Sequence, residues 1–160
     1  GCATGAEPYT LAIICYELFL IYGTAIKIIA TDIDEDAIEK AESAIFSERA
    51  VIAEMPAEYR KKYFIKLDAN NYKLDEKIKR FVRFFKHNMI QEIYPVNADY
   101  IFCRNVLYYF SEEQRLKILK KLYDSLKNNG VLFLSPTESM FQFLEYFNEI
   151  KSDLHTAPQL

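Results

Sequence analysis

Glycine is scarce in this 160-residue chain, and two of its four glycines, Gly1 and Gly5, stand together before the first apolar run. No G-x-G-x-x-G follows them, so the loop whose backbone cradles a dinucleotide pyrophosphate is absent. Basic residues are not in surplus either. Twenty Lys and Arg against 23 Asp and Glu leave a formal charge of −3, which offers nothing in excess to neutralise phosphates and argues against nucleic acid as partner. Cysteine is limited to Cys2, Cys15 and Cys103, odd in number, widely spaced and without C-x-x-C. That excludes a disulfide framework or zinc site and reads as reduced, mostly buried thiols of a cytoplasmic protein. His87 and His155 lack metal-ligand spacing, and no metal is expected. A spanning helix needs about 20 consecutive apolar residues. Leu11 to Tyr22 falls short, because Glu17 interrupts it and extension to Ile29 adds Gly23 and Lys27. The chain is therefore expected not to be membrane-embedded. There is no basic n-region of a signal peptide, no repeat and no low-complexity tract. With no initiator Met, the sequence reads as a fragment that begins inside a motif.

What is present is ordinary globular material, 51% apolar and 27% charged, long enough for one domain with a sizeable core. Pro8 suits the first turn of a helix, where its missing N–H costs nothing; that helix runs to Tyr22 and stops at Gly23. Ala25 to Ala30 is a β-branched run ending in the acidic turn Thr31-Asp32-Ile33-Asp34. Asp34 caps a helix over Glu35 to Phe46, with Ile38, Ala41 and Ile45 at helical spacing. Pro56 opens the charged helix AEYRKKY, and FIKLDANNYKL forms a hairpin about Asp68-Ala69-Asn70-Asn71. Phe81 to Lys86 and Asp99 to Cys103 are strands. Ser111 with Gln114 makes a capping box, Leu116, Leu119, Leu122 and Leu126 give the stripe of the helix behind it, and Asn128-Asn129-Gly130 ends that helix. Val131 to Leu134 is one more strand, and a final helix starts near Ser139. Strands alternating with helices predict an α/β fold, a doubly wound, mostly parallel sheet with a small helix-plus-hairpin subdomain inserted at about 47–80.

Ligands of such sheets lie at the carboxyl ends of the strands. Three patches are expected there: Gly1–Glu7, Asp32, and Arg104–Asn105. Asp32 has the position of a ribose acceptor, or of a simple turn cap. Glu7 sits where a pyrophosphate would be repelled and a cation welcomed, although a first-turn acid can also just compensate the helix dipole. S-adenosylmethionine, with a ribose and a sulfonium but no phosphate, suits this acidic mouth better than a nicotinamide dinucleotide. Arg104 reads equally as a surface ion pair, Asn105 as a turn residue, and Tyr108 and Tyr109 as core aromatics.

Four segments, GCATGAEPYTLAI, ATDIDEDAIEKA, IFCRNVLYYFSEEQRLKIL and NNGVLFLSPTESM, closely resemble, in that order, the chemotaxis receptor methyltransferases of the CheR family. The usual forms are G-x-[ST]-G-E-E-P-Y-[ST], [AS]-[TS]-D-I-D, F-C-R-N-V-x-I-Y-F and G-x-L-F-x-G-H-S-E. The resemblance covers residue 1 to about Met140. It implies a Rossmann-like class I methyltransferase domain transferring methyl groups from S-adenosylmethionine to glutamates on the cytoplasmic helices of chemoreceptors. Glu7 would then contact the methionyl amino end, Asp32 the ribose, and Asn88 and Met89 the adenine side. Arg104 and Asn105 would sit by the donor, with Arg104 and Tyr109 as the catalytic pair. Ala6 replaces the first of two expected glutamates, and Ser135-Pro136-Thr137-Glu138 replaces G-H-S-E. The family's N-terminal helical domain and the strand leading into Gly1 lie outside the sequence. Family members that grip a peptide at the receptor's C-terminus resemble one another in a longer, glycine-containing hairpin loop. The short loop here implies independence of that peptide. A non-catalytic module binding S-adenosylmethionine, and a methyltransferase for another substrate, are the alternatives.

Overall fold

The structure, a computed structural model, describes residues 1–138; the helix expected near Ser139 and His155 lie outside them. The described residues divide into two compact units, Cys2–His87 and, with Gly1, Asn88–Glu138.

In the first unit, α1 (Ala6–Tyr22) is bounded by two left-handed glycines, Gly5 at φ 87° and Gly23 at φ 65°. Gly23 donates its N–H to the Phe19 carbonyl at 2.7 Å, ending the helix where the sequence predicts. Gly5 is needed on two grounds. A Cβ there would lie 2.9 Å from Ala41 Cβ and 3.2 Å from the Phe84 ring, and a positive φ penalises any L side chain. Next come β1 (Ile28–Asp32) and α2 (Glu35–Ser43). Asp34 caps α2 as expected, accepting from the N–H groups of Asp36 and Ala37 at 3.0 and 3.3 Å. The helix stops at Ser43, however, and not at Phe46. Ala44 turns left-handed at φ 55° and Ile45–Ser47 becomes β2. The reason is tertiary: β2 pairs with a later strand, and Phe46 packs edge-on to Tyr9 and Phe64.

Helices α3 (Glu48–Glu54) and α4 (Ala57–Tyr63) follow, then β3 (Phe64–Lys66) and β4 (Asn71–Leu74). The hairpin forms, but β4 is the centre of a three-stranded antiparallel sheet, with β2 on one side and β3 on the other. Helix α5 (Glu76–Lys79) leads to β5 (Val82–Lys86), which pairs parallel with β1, Ile28 opposite Val82 through Asp32 opposite Lys86. Tyr9, Ala12, Ile13, Ala30, Ala41, Leu74, Ile78 and Phe84 form the core of this unit.

Glu17, the charge inside the apolar α1, is explained by α4. It accepts from Lys62 Nζ at 2.7 Å and from the hydroxyl of the fully buried Tyr63. Among the described residues no helix is long and apolar enough to cross a membrane.

In the second unit, β6 (Ala98–Cys103) leads through a 3-10 turn, Leu107–Tyr109, to α6 (Glu112–Ser125) and β7 (Leu126–Leu134). The capping box forms: Ser111 N–H donates to Gln114 Oε1 at 3.0 Å, and Gln114 N–H donates to Ser111 Oγ. The buried stripe of α6 is Ile118, Leu119, Leu122 and Ser125; Leu116 stays 38% exposed and Leu126 already starts β7. The Asn128–Gly130 stretch therefore does not end the helix. It bulges out of β7, whose register with β6 jumps from Ala98–Leu126 to Tyr100–Val131. Strands β6 and β7 are parallel, and Cys103, Leu107, Ile118, Leu119 and Leu122 form the core between them and α6. Among the described residues each unit thus holds one parallel strand pair with helices packed on it, an α/β, Rossmann-like arrangement.

Candidate functional site

Two turns at the carboxyl ends of parallel strands carry the expected residues, one in each unit. In the first unit, Cys2 and Ala3 lie beside the end of β1. Cys2 N–H donates to the Thr31 carbonyl at 2.9 Å and Ala3 N–H to Asp32 Oδ2 at 2.7 Å. Gly5 N–H closes the turn onto the Cys2 carbonyl at 3.1 Å, and α1 begins. The other oxygen of Asp32 accepts from Asp34 N–H at 3.1 Å. Burial alone would raise the Asp32 carboxyl, but the N–H groups of Asp34 and Ala3, the positive charge at Gly1 N and the Ile33 N–H outweigh it and hold the pKa below the usual range. Asp32 is therefore ionised and fixed, and it ties the glycine turn to β1 whatever else it binds. Glu7 sits half-buried in the first turn of α1.

The Ala3 N–H of this turn goes to a carboxylate of the protein itself, and those of Cys2 and Gly5 go to backbone carbonyls. The turn is unsuited to pyrophosphate, which needs those donors free; a cationic or neutral ligand with hydroxyl groups fits it better. Cys2 and Cys15 are half-buried and only Cys103 is buried, so the expectation of mostly buried thiols holds for one of three. Burial, with the negative charge of Asp32, pushes the Cys2 thiol up to about 11.

In the second unit, the chain leaves β6 through Arg104 and Asn105. Arg104 is half-buried; Asn105 is left-handed at φ 57°. Tyr108 and Tyr109 are not core aromatics: they are 56% and 75% exposed, and their hydroxyls meet at 2.9 Å. The buried Leu107 roots the 3-10 turn that presents them.

Asn88 and Met89 open the same unit. The Asn88 side chain accepts from Ile90 N–H at 3.0 Å, and its own N–H donates to Glu92 Oε2 at 2.9 Å. Met89 packs on the core of this unit, and its carbonyl accepts from Tyr94 Oη at 2.9 Å. Glu7 and Asp32 thus share one unit, and Asn88, Met89, Arg104, Asn105 and Tyr109 share the other.

Sequence reasoning missed the most heavily bonded side chain here. Glu138, in the loop after β7, is buried and its carboxylate accepts four backbone N–H groups. Asn105 and Ser135 donate to Oε2 at 3.0 Å each, Val106 and Leu107 to Oε1 at 2.7 Å each. The available signal was the acid retained in Ser135-Pro136-Thr137-Glu138 while its neighbours depart from the family form.

The family model described as CheR methyltransferase, SAM binding domain, matches residues 1–156. The chain is 36% identical over 151 residues to chemotaxis protein methyltransferase 2 of Vibrio cholerae, covering 92% of this chain and 52% of that protein. It is 32% identical over 145 residues to the chemotaxis protein methyltransferase of Borreliella burgdorferi, covering 88% and 50%. An uncharacterized 104.1 kDa protein of Rhodobacter capsulatus is 30% identical over 154 residues, covering 95% of this chain but 16% of that protein. The chain thus spans about half the length of the two named methyltransferases. Among solved structures, the S-adenosylmethionine-dependent methyltransferase SibL superposes with a TM-score of 0.52 at 19% identity, over 84% of this chain and 28% of SibL. That likeness shows the fold. On the family match from residue 1 to residue 156, the chain belongs to the CheR methyltransferases, as their SAM-binding domain.

Proposed function

We propose that this chain is the part of a protein-glutamate O-methyltransferase that binds S-adenosylmethionine and carries its reacting residues, acting on the cytoplasmic helices of chemoreceptors. The observation that carries the cofactor reading is the glycine turn tied to Asp32: the Ala3 N–H is engaged by that carboxylate and those of Cys2 and Gly5 by backbone carbonyls, where a phosphate cofactor would need them free. Family membership and the names of the Vibrio and Borreliella relatives support the chemotactic role.

In this reading Asp32 accepts from the ribose hydroxyls, and Glu7 pairs with the methionyl ammonium. Asn88 and Met89 flank the adenine, with Met89 offering an apolar face. When bound, S-adenosylmethionine supplies an electrophilic methyl group on a positively charged sulfur. The incoming glutamate is already ionised at neutral pH and needs no general base. With the donor bound, the carboxylate oxygen would take the methyl group, the carbon–sulfur bonding pair would remain with sulfur, and no side chain of this protein would need to move a proton. The protein's task is orientation and exclusion of water. Arg104 supplies a planar fork that matches a carboxylate, and the exposed Tyr109 hydroxyl donates beside it.

The test uses the full-length protein with radiolabelled S-adenosylmethionine and the cytoplasmic fragment of a chemoreceptor. Base-labile label on receptor glutamates is expected. Arg104→Ala and Tyr109→Phe should each lower turnover more than cofactor affinity, because both are assigned to the acceptor side. No labelling of any receptor, with S-adenosylhomocysteine still bound, would overturn the receptor-glutamate assignment.

A further inference from the structure

Three consecutive backbone N–H groups, those of Asn105, Val106 and Leu107, converge on one side of the turn after β6. Asn105 is left-handed and Val106 is not, and a chain that alternates this way makes a concavity suited to an anion. Glu138 fills it. One of its oxygens takes Val106 and Leu107, and the other takes Asn105 together with Ser135 from the loop after β7. The Ser135 carbonyl accepts from Glu138 N–H at 2.9 Å, so the acid is held by its own loop as well. The site is buried, Leu107 at 3% and Glu138 at 9% exposure. Water is poorly placed to replace the carboxylate there, and donors left unmatched in such a site are costly. Asn105 takes the left-handed conformation that asparagine tolerates, with its N–H on that carboxylate.

We infer that Glu138 is a positioning residue for the reaction: as a built-in anion it sets the course of the Arg104–Tyr109 segment and thereby the aim of Arg104 and Tyr109. This rests on the functional reading above, and it assigns work to the loop whose sequence departs from the family form. It also has a chemical corollary. Removal of the Glu138 side chain leaves a hollow lined with N–H donors and sized for a small carboxylate.

The experiment compares Glu138→Ala and Glu138→Gln in the full-length protein, with Ser111→Ala as a variant that weakens α6 without touching the N–H cluster. Melting temperature, S-adenosylhomocysteine affinity and methyl transfer are measured with and without sodium formate, at matched ionic strength with chloride. Glu138→Ala should lose at least about tenfold in methyl transfer, as expected for loss of charged hydrogen bonds. Formate should restore both its transfer and its melting temperature while leaving the wild type and Ser111→Ala unchanged. Glu138→Gln keeps the shape but sets an amide N–H₂ against N–H donors. It should remain folded, transfer methyl groups at least about tenfold more slowly, and respond little to formate because the hollow stays filled. Wild-type transfer in folded Glu138→Gln would overturn the inference, as would a loss in Glu138→Ala that formate does not reverse. If Glu138→Ala does not fold, folded Glu138→Gln alone decides. Should the wild type itself neither bind S-adenosylhomocysteine nor transfer methyl groups, the cofactor reading fails. The formate-dependent melting of Glu138→Ala would still report on the anion site.

Discussion

Asp32 shows how one side chain can serve structure and ligand together. Its two oxygens already accept from Ala3 and Asp34 N–H groups, which fixes the carboxylate at the end of β1 before any cofactor arrives. A carboxylate has lone pairs to spare beyond these two bonds, so a ribose hydroxyl can be added without breaking them. Asp32→Ala should therefore cost twice, loosening the glycine turn and removing the ribose acceptor. The expected outcome is at least about tenfold weaker binding of S-adenosylhomocysteine together with a lower melting temperature, read by calorimetry and thermal unfolding. A lower melting temperature with unchanged affinity would leave Asp32 as a turn residue only. Gly5 belongs to the same scale. Ala41 and Phe84 show that the fold itself requires its lack of a side chain.

At the scale of elements, the β2–β4–β3 sheet is the feature most open to a binding role. Its hairpin loop, Leu67–Asn70, is short and built around Asp68, which accepts from Asn70 N–H at 2.7 Å and from the Asn71 side chain at 3.0 Å. Leu67 N–H closes it onto the Asn71 carbonyl at 2.9 Å. Strand addition by a partner peptide calls for close backbone approach at a sheet edge, which glycine eases and this loop does not contain. A receptor trimmed of its last residues should thus be methylated at nearly the rate of the intact receptor. Loss of methylation on trimming, or tight binding of the free peptide, would contradict this. Helix α6 teaches the complementary lesson. Its start was readable from Ser111 and Gln114, while its end was not, because pairing with β6 draws Leu126 into β7 and pushes Asn128–Gly130 out as a bulge.

At the scale of the molecule, the acids with lowered pKa values concentrate in the first unit. Glu17 is held down chiefly by Lys62, then by the Tyr63 hydroxyl. Asp75 is lowered by the Lys77 N–H, Asp68 by the Asn71 side chain, and Asp32 by N–H donors that outweigh its burial. A carboxyl with a depressed folded pKa contributes stability above its unfolded value, and that contribution disappears as pH falls through the folded one. The first unit should therefore keep its melting temperature from pH 7 down to roughly 4.5 and lose it progressively below, through and under the ordinary carboxylate range of about 4. Thermal unfolding followed by circular dichroism across that range is the check. A melting temperature constant down to pH 3 would show these contacts to be without effect on stability.

The sequence by itself determined where α2 and α6 begin, because those beginnings are set by local chemistry: Asp34 and Ser111 cap with their own side chains. It located two strands, expected over Ala25–Ala30 and Asp99–Cys103. Strand β1 lies at Ile28–Asp32, taking in Thr31 and Asp32 from the expected turn because they pair with β5, and β6 runs Ala98–Cys103. Sequence motifs marked Asp32, Arg104 and Tyr109 as candidates. Tertiary structure decided the rest. Phe46 left its helix because two aromatic neighbours and a strand partner outweighed helical spacing. The four donors on Glu138 come from positions 3 to 33 residues away. A carboxylate collects such donors only when two strand ends are brought side by side, and no local pattern records that.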